Sequence, residues 1–165
     1  MSLTAFAQGV YDSGVGTALR ESVYAFPIVE GLHLIGLAFS VGLILLIDLR
    51  LVGLVFRQVP VQAVLHPLRP WLLAGFALTF TTGAFLFIAE SAKIIDFFVL
   101  PLKLTLILLA GINALWFELK WGRKVAEWAD QPALPQAVRF AGWSSIALWS
   151  GVIICGRLIP YLSYA

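Results

Sequence analysis

Glu30 and His33 lie one helical turn apart in EGLHLIGLAFSVG, a stretch that is otherwise as apolar as a membrane span. Lys103 and Arg157 interrupt two later apolar runs in the same way. Ionisable groups inside a bilayer are costly, so they usually mark a function and face partners in the interior of the helix bundle. These four residues are therefore the first candidates for chemistry.

Each residue type suggests a role. Neutral imidazole is a common ligand of haem iron, and a buried lysine amine that loses its proton can become a ligand as well. His33 is thus predicted to ligate a b-type haem, with Lys103 as the second metal ligand. The Arg157 guanidinium matches a haem propionate, and Glu30 would complete the site and carry protons to the surface.

A purely structural interpretation stays open. Lys103 could form an interior ion pair with Glu30 or Glu90, while His33 hydrogen-bonds to a backbone carbonyl or a hydroxyl. Such a network would hold helices in register without any ligand. A quinone or a bare metal ion in place of haem also stays open.

The amino-acid composition is that of a membrane protein, so a lipid bilayer is the principal predicted partner. Of the 165 residues, 61% are hydrophobic and only 12% are charged, and the mean hydropathy is +0.94. Soluble domains are about half apolar and a quarter charged. The formal net charge is only +2, and no nucleic-acid partner is predicted.

Four segments reach the roughly 20 residues that a transmembrane helix needs. They cover residues 24–47, 70–89, 97–117 and 140–161 approximately. Residues 1–22 are predicted to form a short surface helix. The predicted fold is therefore all-α, a four-helix transmembrane bundle that forms one domain over residues 1–165.

Counting along the spans predicts which polar residues share a depth. His33 and Lys103 fall within about 5 Å of each other along the membrane normal, and Arg157 lies toward the same end of the bundle. At 100° per residue, Glu30 falls within about 60° of His33 and is expected to face inward with it. His66 lies about 25 Å away from His33 along the normal, too far to share a haem.

A second polar group is predicted near the end of the first span. Asp48 lies close to Arg50 in sequence, and Asn113 is expected at the same depth. Unpaired charges would be prohibitive there, so the three are predicted to form a polar lock. Four tryptophans fall where an aromatic belt would lie: Trp116, Trp121, Trp128 and Trp143.

The distribution of lysine and arginine along the chain predicts the orientation of the bundle in the membrane. Seven lie at or between spans one and two or between spans three and four, against two on the other side. Because cytoplasmic loops carry the excess of lysine and arginine, both termini are predicted on the non-cytoplasmic side. The seven are Arg50, Arg57, Arg69, Lys120, Arg123, Lys124 and Arg139, and the two are Arg20 and Lys93.

The runs HLIGLAFSVGLILLIDLRLVG and FFVLPLKLTLILLAGINALWFE resemble an uncharacterised family of bacterial four-span membrane proteins. More distantly, they are similar to HemJ-type protoporphyrinogen oxidases and CopD-like membrane proteins. The HemJ-type outline of a first-span histidine, a glycine, an Arg-Leu pair and a third-span lysine corresponds to His33, Gly42, Arg50-Leu51 and Lys103. Asn113 stands where that type has a further histidine, so the resemblance implies haem binding rather than the porphyrinogen reaction.

Two functions from different classes follow. The first is a small b-type haem protein of the bacterial inner membrane that transfers electrons or oxidises a lipophilic substrate, with a quinone as a candidate partner. The second is a non-catalytic accessory subunit of a larger membrane complex, whose polar residues are structural. Either protein could form a homodimer through its apolar faces.

Overall fold

The computed structural model describes residues 2–129 and 134–162 of the chain. All regular structure within these two ranges is helical, which confirms the predicted all-α class. In chain order the helices are α1 (Leu3–Tyr11), α2 (Gly14–Glu21), α3 (Ala25–Leu51), α4 (Val61–Ile94), α5 (Val99–Lys120), α6 (Val125–Trp128) and α7 (Gln136–Leu162), and a 3-10 turn (Gly122–Lys124) precedes α6.

Four stretches of helix are long and apolar enough to cross a membrane: Ala25–Leu51, Val61–Ile94, Val99–Trp128 and Gln136–Tyr161. They indicate a multi-pass membrane protein. The second exceeds the predicted range of 70–89, because α4 continues through both Pro67 and Pro70. Its 34 residues span about 51 Å at 1.5 Å each, more than the roughly 30 Å of hydrocarbon.

The bundle is built from two helix pairs. Helix α3 packs along α4, α5 packs along α7, and contacts between α3 and α7 join the pairs. We call the end where α3 and α5 begin the His33 end, and the opposite end the Asp48 end.

Small residues allow α3 and α4 to approach closely. A Cβ at Gly36 would lie 2.9 Å from the Thr79 hydroxyl, and a Cβ at Gly75 would lie 3.2 Å from Cα of Ser40. The hydroxyls of Ser40 and Thr79 are 3.3 Å apart across this contact. Helices in lipid pack through small residues at four-residue spacing because van der Waals contact then holds them together.

The centre and the Asp48 end of the bundle carry the apolar core. At the centre, Phe76 of α4 packs against Trp149 of α7, with ring centroids 4.9 Å apart. At the Asp48 end the buried residues come from five helices (α3, α4, α5, α6 and α7) and the turn after α6: Ile47, Leu51, Val61, Leu65, Phe117, Trp128, Ala129, Val138 and Ala141. Trp128 is only 4% exposed, and its indole donates a hydrogen bond to the Trp121 carbonyl. The prediction that Trp128 belongs to a lipid-facing belt is therefore wrong.

The predicted N-terminal surface helix is two helices. Helices α1 and α2 pack against α4, where the hydroxyl of Ser91 donates a 2.9 Å hydrogen bond to the Ala7 carbonyl. Both residues are fully buried. Arg20 closes the turn between α1 and α2, because its guanidinium donates to the Tyr11 carbonyl at 2.6 Å and stacks on the Tyr11 ring.

Candidate functional site

His33 is anchored on the neighbouring helix α4. Its Nδ1 lies 3.0 Å from the Thr79 carbonyl oxygen and 3.0 Å from the Thr82 hydroxyl oxygen. The Thr82 hydroxyl donates its own hydrogen to the Leu78 carbonyl at 2.7 Å, so toward His33 it can only accept. Both partners of Nδ1 are therefore acceptors, and Nδ1 carries the hydrogen.

This hydrogen-bond pattern fixes the chemistry of the imidazole. A neutral histidine with its hydrogen on Nδ1 presents an unprotonated lone pair at Nε2. Histidine ligands of metals are characteristically held in this way, with the other ring N–H donated to a carbonyl or carboxylate. In its neutral state, His33 would therefore have its donor atom Nε2 in the form that a metal requires.

Gly83 makes room for the ring of His33. A Cβ at Gly83 would lie 3.1 Å from the imidazole Cε1 and 3.5 Å from Nδ1. Any side chain at this position would press on the ring edge, so glycine allows the imidazole to lie directly against the backbone of α4. The half-buried ring is oriented by the helix itself.

Lys103 faces the same region from the other helix pair. Its side chain is half-buried, and its charge is close enough to His33 for the two to interact electrostatically. The ammonium group lies against α7, since a Cβ at Gly156 would be 3.3 Å from Nζ. The thiol of Cys155, buried on α7, also lies within electrostatic range of Lys103. Within the described residues, Nζ has no hydrogen-bond acceptor.

All four long helices therefore contribute to the His33 end. Helix α3 supplies the imidazole, α4 its anchor, α5 the lysine and α7 the surface on which the ammonium rests. The predicted similarity in depth of His33 and Lys103 agrees with this placement. His66 lies near the start of α4, toward the Asp48 end, about 20 Å along the helix from Thr79.

Arg157 and Glu30 lie outside this arrangement. Arg157 is exposed, and its guanidinium donates a 2.8 Å hydrogen bond to the hydroxyl of Tyr161. Glu30 is also exposed and makes no hydrogen bond or ion pair with another described residue. The expectation that Glu30 faces inward with His33 is wrong, because an angular offset of about 60° is enough to take a side chain off the buried face.

Of the purely structural interpretation, the part that concerns His33 is confirmed and the part that concerns Lys103 is not. His33 is bonded to a carbonyl and a hydroxyl, as that interpretation expected. Glu90, however, pairs with Lys93 at 2.9 Å, and in the described part of the chain neither Glu30 nor Glu90 pairs with Lys103. The lysine is therefore not explained as half of an ion pair.

The predicted polar lock at the Asp48 end does not form. Arg50 donates through Nε to the Val59 carbonyl at 2.7 Å, and the Asn113 amide donates to the Ala141 carbonyl at 3.0 Å. The Val59 carbonyl belongs to the loop before α4, whereas the Ala141 carbonyl lies inside α7. Asp48 instead lies beside Ser145 of α7.

The anchor of His33 was missed at the level of sequence. Threonine hydroxyls inside a helix commonly bond back to their own helix, and Thr79 and Thr82 do so, to the Gly75 and Leu78 carbonyls. Their second role follows from register. Because Gly36 meets Thr79 in an antiparallel pair, the residue three positions before Gly36 must meet the residue three positions after Thr79.

No group of three or more histidine, cysteine, aspartate or glutamate side chains in the described ranges could hold a metal ion. Any metal at this end would therefore depend on few protein ligands, as haem iron does.

Comparison with curated proteins and with solved structures finds no match, so neither the HemJ-type nor the CopD-like similarity is shown. A family profile described as a family of unknown function (DUF6644) matches residues 6–162. This match covers both N-terminal helices and all four long helices, and the chain therefore belongs to DUF6644.

Proposed function

We propose that this protein binds a b-type haem at the His33 end and serves in electron transfer or in oxidation of a lipophilic substrate. The observation that carries the proposal is the anchored imidazole, whose Nδ1–H is donated to α4 and whose Nε2 is left as a free donor. When bound, haem would supply a one-electron redox couple. His33 would hold the iron, with its orientation set by Thr79 and Thr82.

Lys103 is the second residue of the proposed site. A half-buried ammonium without an acceptor is costly in an apolar bundle, and a ligand between the two helix pairs would relieve that cost. As a neutral amine Lys103 would be the second residue to hold the iron, and as an ammonium it would offset negative charge near His33. Gly156 allows the Lys103 side chain to lie against α7 in either state, because a Cβ there would be 3.3 Å from Nζ.

Arg157 and Glu30 contribute from the rim. Arg157 is one residue beyond Gly156, and its hydrogen-bond partner among the described residues is the exposed Tyr161, so it can turn toward a propionate. The excess of basic residues at the Asp48 end supports a topology with both termini non-cytoplasmic. In a bacterial inner membrane the site would then lie in the outer half, with Glu30 near the surface.

An optical spectrum tests the proposal. The full-length protein is purified in detergent from cells supplied with haem, and spectra are taken oxidised and after dithionite reduction. We expect a Soret band and a reduced α-band that His33→Ala abolishes and Lys103→Met shifts. His66→Ala, which removes the other histidine, is the matched control and should leave both bands unchanged. A colourless wild-type protein would overturn the proposal.

The accessory-subunit function remains the second candidate, and the exposed Glu30 favours it. A carboxylate on the outer surface of a transmembrane helix is covered at lower cost by a partner protein than by lipid. If this function is correct, the colourless protein copurifies with a larger complex and Glu30→Gln weakens that association. Retention of the complex by Glu30→Gln would argue against this candidate.

A further inference from the structure

Asp48 is buried at the opposite end of the bundle from His33. Its side chain is 4% exposed, and its Oδ2 has no hydrogen-bond partner in the described part of the protein. Across the α3–α7 contact, the hydroxyl of the buried Ser145 is close enough to donate to the carboxyl group. The contact is tight here, since a Cβ at Gly142 would lie 3.2 Å from the Asp48 carbonyl oxygen.

In residues 2–129 and 134–162, no cation pairs with this carboxyl group. Arg50, two residues further along α3, donates its Nε hydrogen to the Val59 carbonyl. Arg69 of α4 pairs with Glu118 of α5 at 2.7 Å, and Arg139 of α7 and His66 of α4 are exposed. Asn113 of α5 donates to a backbone carbonyl instead. The polar side chain that interacts with Asp48 is Ser145.

An ionised Asp48 carboxylate would be shielded from water, and its Oδ2 would have no hydrogen-bond donor among the described residues. Burying an unpaired ionised carboxylate costs far more than burying the neutral acid, so the group takes up a proton instead. A metal cation is a poor alternative, because a hard cation needs six or more oxygen ligands and this contact offers one carboxyl group and one hydroxyl.

We infer that Asp48 is a proton-binding site of the membrane-embedded bundle, a neutral carboxylic acid enclosed between α3 and α7. The ligand is H⁺. Release of the proton would create a charge on a carboxyl group whose Oδ2 has no donor among the described residues, and water entering the α3–α7 contact would supply one. Ionisation of Asp48 is therefore coupled to opening of this contact, independently of the site at the His33 end.

Infrared spectroscopy of the full-length protein in lipid nanodiscs tests this inference at neutral pH. We expect a carbonyl stretching band of a protonated carboxyl group, which Asp48→Asn removes and Glu30→Gln, the matched change on the same helix, leaves intact. Ser145→Ala should shift this band, because the hydroxyl no longer bonds to the acid. That variant keeps the test decisive if Asp48→Asn fails to fold.

Two results would overturn the inference. The first is the absence at neutral pH of any protonated-carboxyl band that responds to Asp48→Asn or Ser145→Ala. The second is a band that disappears when sodium chloride replaces choline chloride at constant pH, since the site would then bind a metal cation rather than a proton.

Discussion

Replacement of Gly75 by alanine tests the contact that brings His33 to its anchor. A Cβ at this position would lie 3.0 Å from Cδ1 of Phe39, 3.1 Å from Cβ of Ser40 and 3.2 Å from Cα of Ser40. The Phe39 ring can turn away, but a backbone atom of α3 cannot. Helices α3 and α4 must therefore separate by a few tenths of an ångström along the stretch that includes Thr79 and Thr82.

Overpacking of this kind costs about 1–3 kcal/mol of the free energy of unfolding. Gly42 is the matched control, because it is exposed on α3 and a Cβ there would meet nothing within 4 Å. Alanine at Gly42 should leave stability unchanged or raise it by up to about 1 kcal/mol, the helix-interior cost of glycine.

The measurement is reversible unfolding of the full-length protein in mixed micelles with increasing sodium dodecyl sulfate, followed by circular dichroism. We expect Gly75→Ala to unfold at a lower fraction of the denaturing detergent than the wild type, and Gly42→Ala to unfold at the same or a higher fraction. Equal stability of Gly75→Ala and Gly42→Ala would refute the close α3–α4 packing and, with it, the placement of His33 against α4.

Two further predictions concern buried hydroxyls. Thr82→Val removes one of the two acceptors of His33 Nδ1 and should lower the free energy of unfolding by about 1 kcal/mol. Thr81→Val, on the exposed face of α4, is the control and should lower it less. Equal losses in the two variants would contradict the hydrogen bond between His33 and Thr82. Ser91→Ala removes the hydroxyl that donates to the Ala7 carbonyl, so amide hydrogen exchange in α1 should accelerate while exchange at the centre of α4 stays unchanged. Unaltered exchange in α1 would contradict the packing of α1 against α4.

The four spans could be predicted because each is an apolar run with at most one charge in its middle. The limits of α4 could not be predicted in the same way. Pro70 resembles a helix start, but α4 begins at Val61 directly after Pro60 and carries both later prolines in its interior. Transmembrane helices tolerate such prolines because neighbouring groups and water satisfy the carbonyls that they leave open.

The depth of a residue in the membrane was easier to predict than the helix that the residue contacts. Counting residues along spans one and three, which run in the same direction, predicted a similar depth for His33 and Lys103, since the rise per residue is nearly constant. It could not identify the helix that His33 contacts, because helical phase within one span contains no information on its neighbours. The structure supplies that information, because Gly36 meets Thr79 and Gly75 meets Ser40, and this register places His33 opposite Thr82.

Sequence proximity was a poor guide to the polar group at the Asp48 end. Asp48 and Arg50 are two residues apart, which puts them about 200° apart around the helix. Arg50 therefore turns to the loop carbonyl of Val59 while Asp48 points into the α3–α7 contact. A carboxylate and a guanidinium this close in sequence would pair more readily at a spacing of three or four residues.

Magnetic resonance of the ferric protein tests most directly whether His33 binds iron. The chain has two histidines, His33 and His66, so ¹⁵N-labelled histidine in a His66→Ala background labels His33 alone. We predict a hyperfine coupling from one directly coordinated imidazole nitrogen, the same in this variant as in the wild type and absent from His33→Ala. A haem spectrum without coupling to histidine nitrogen in the His66→Ala variant would contradict the assignment of His33 as the ligand.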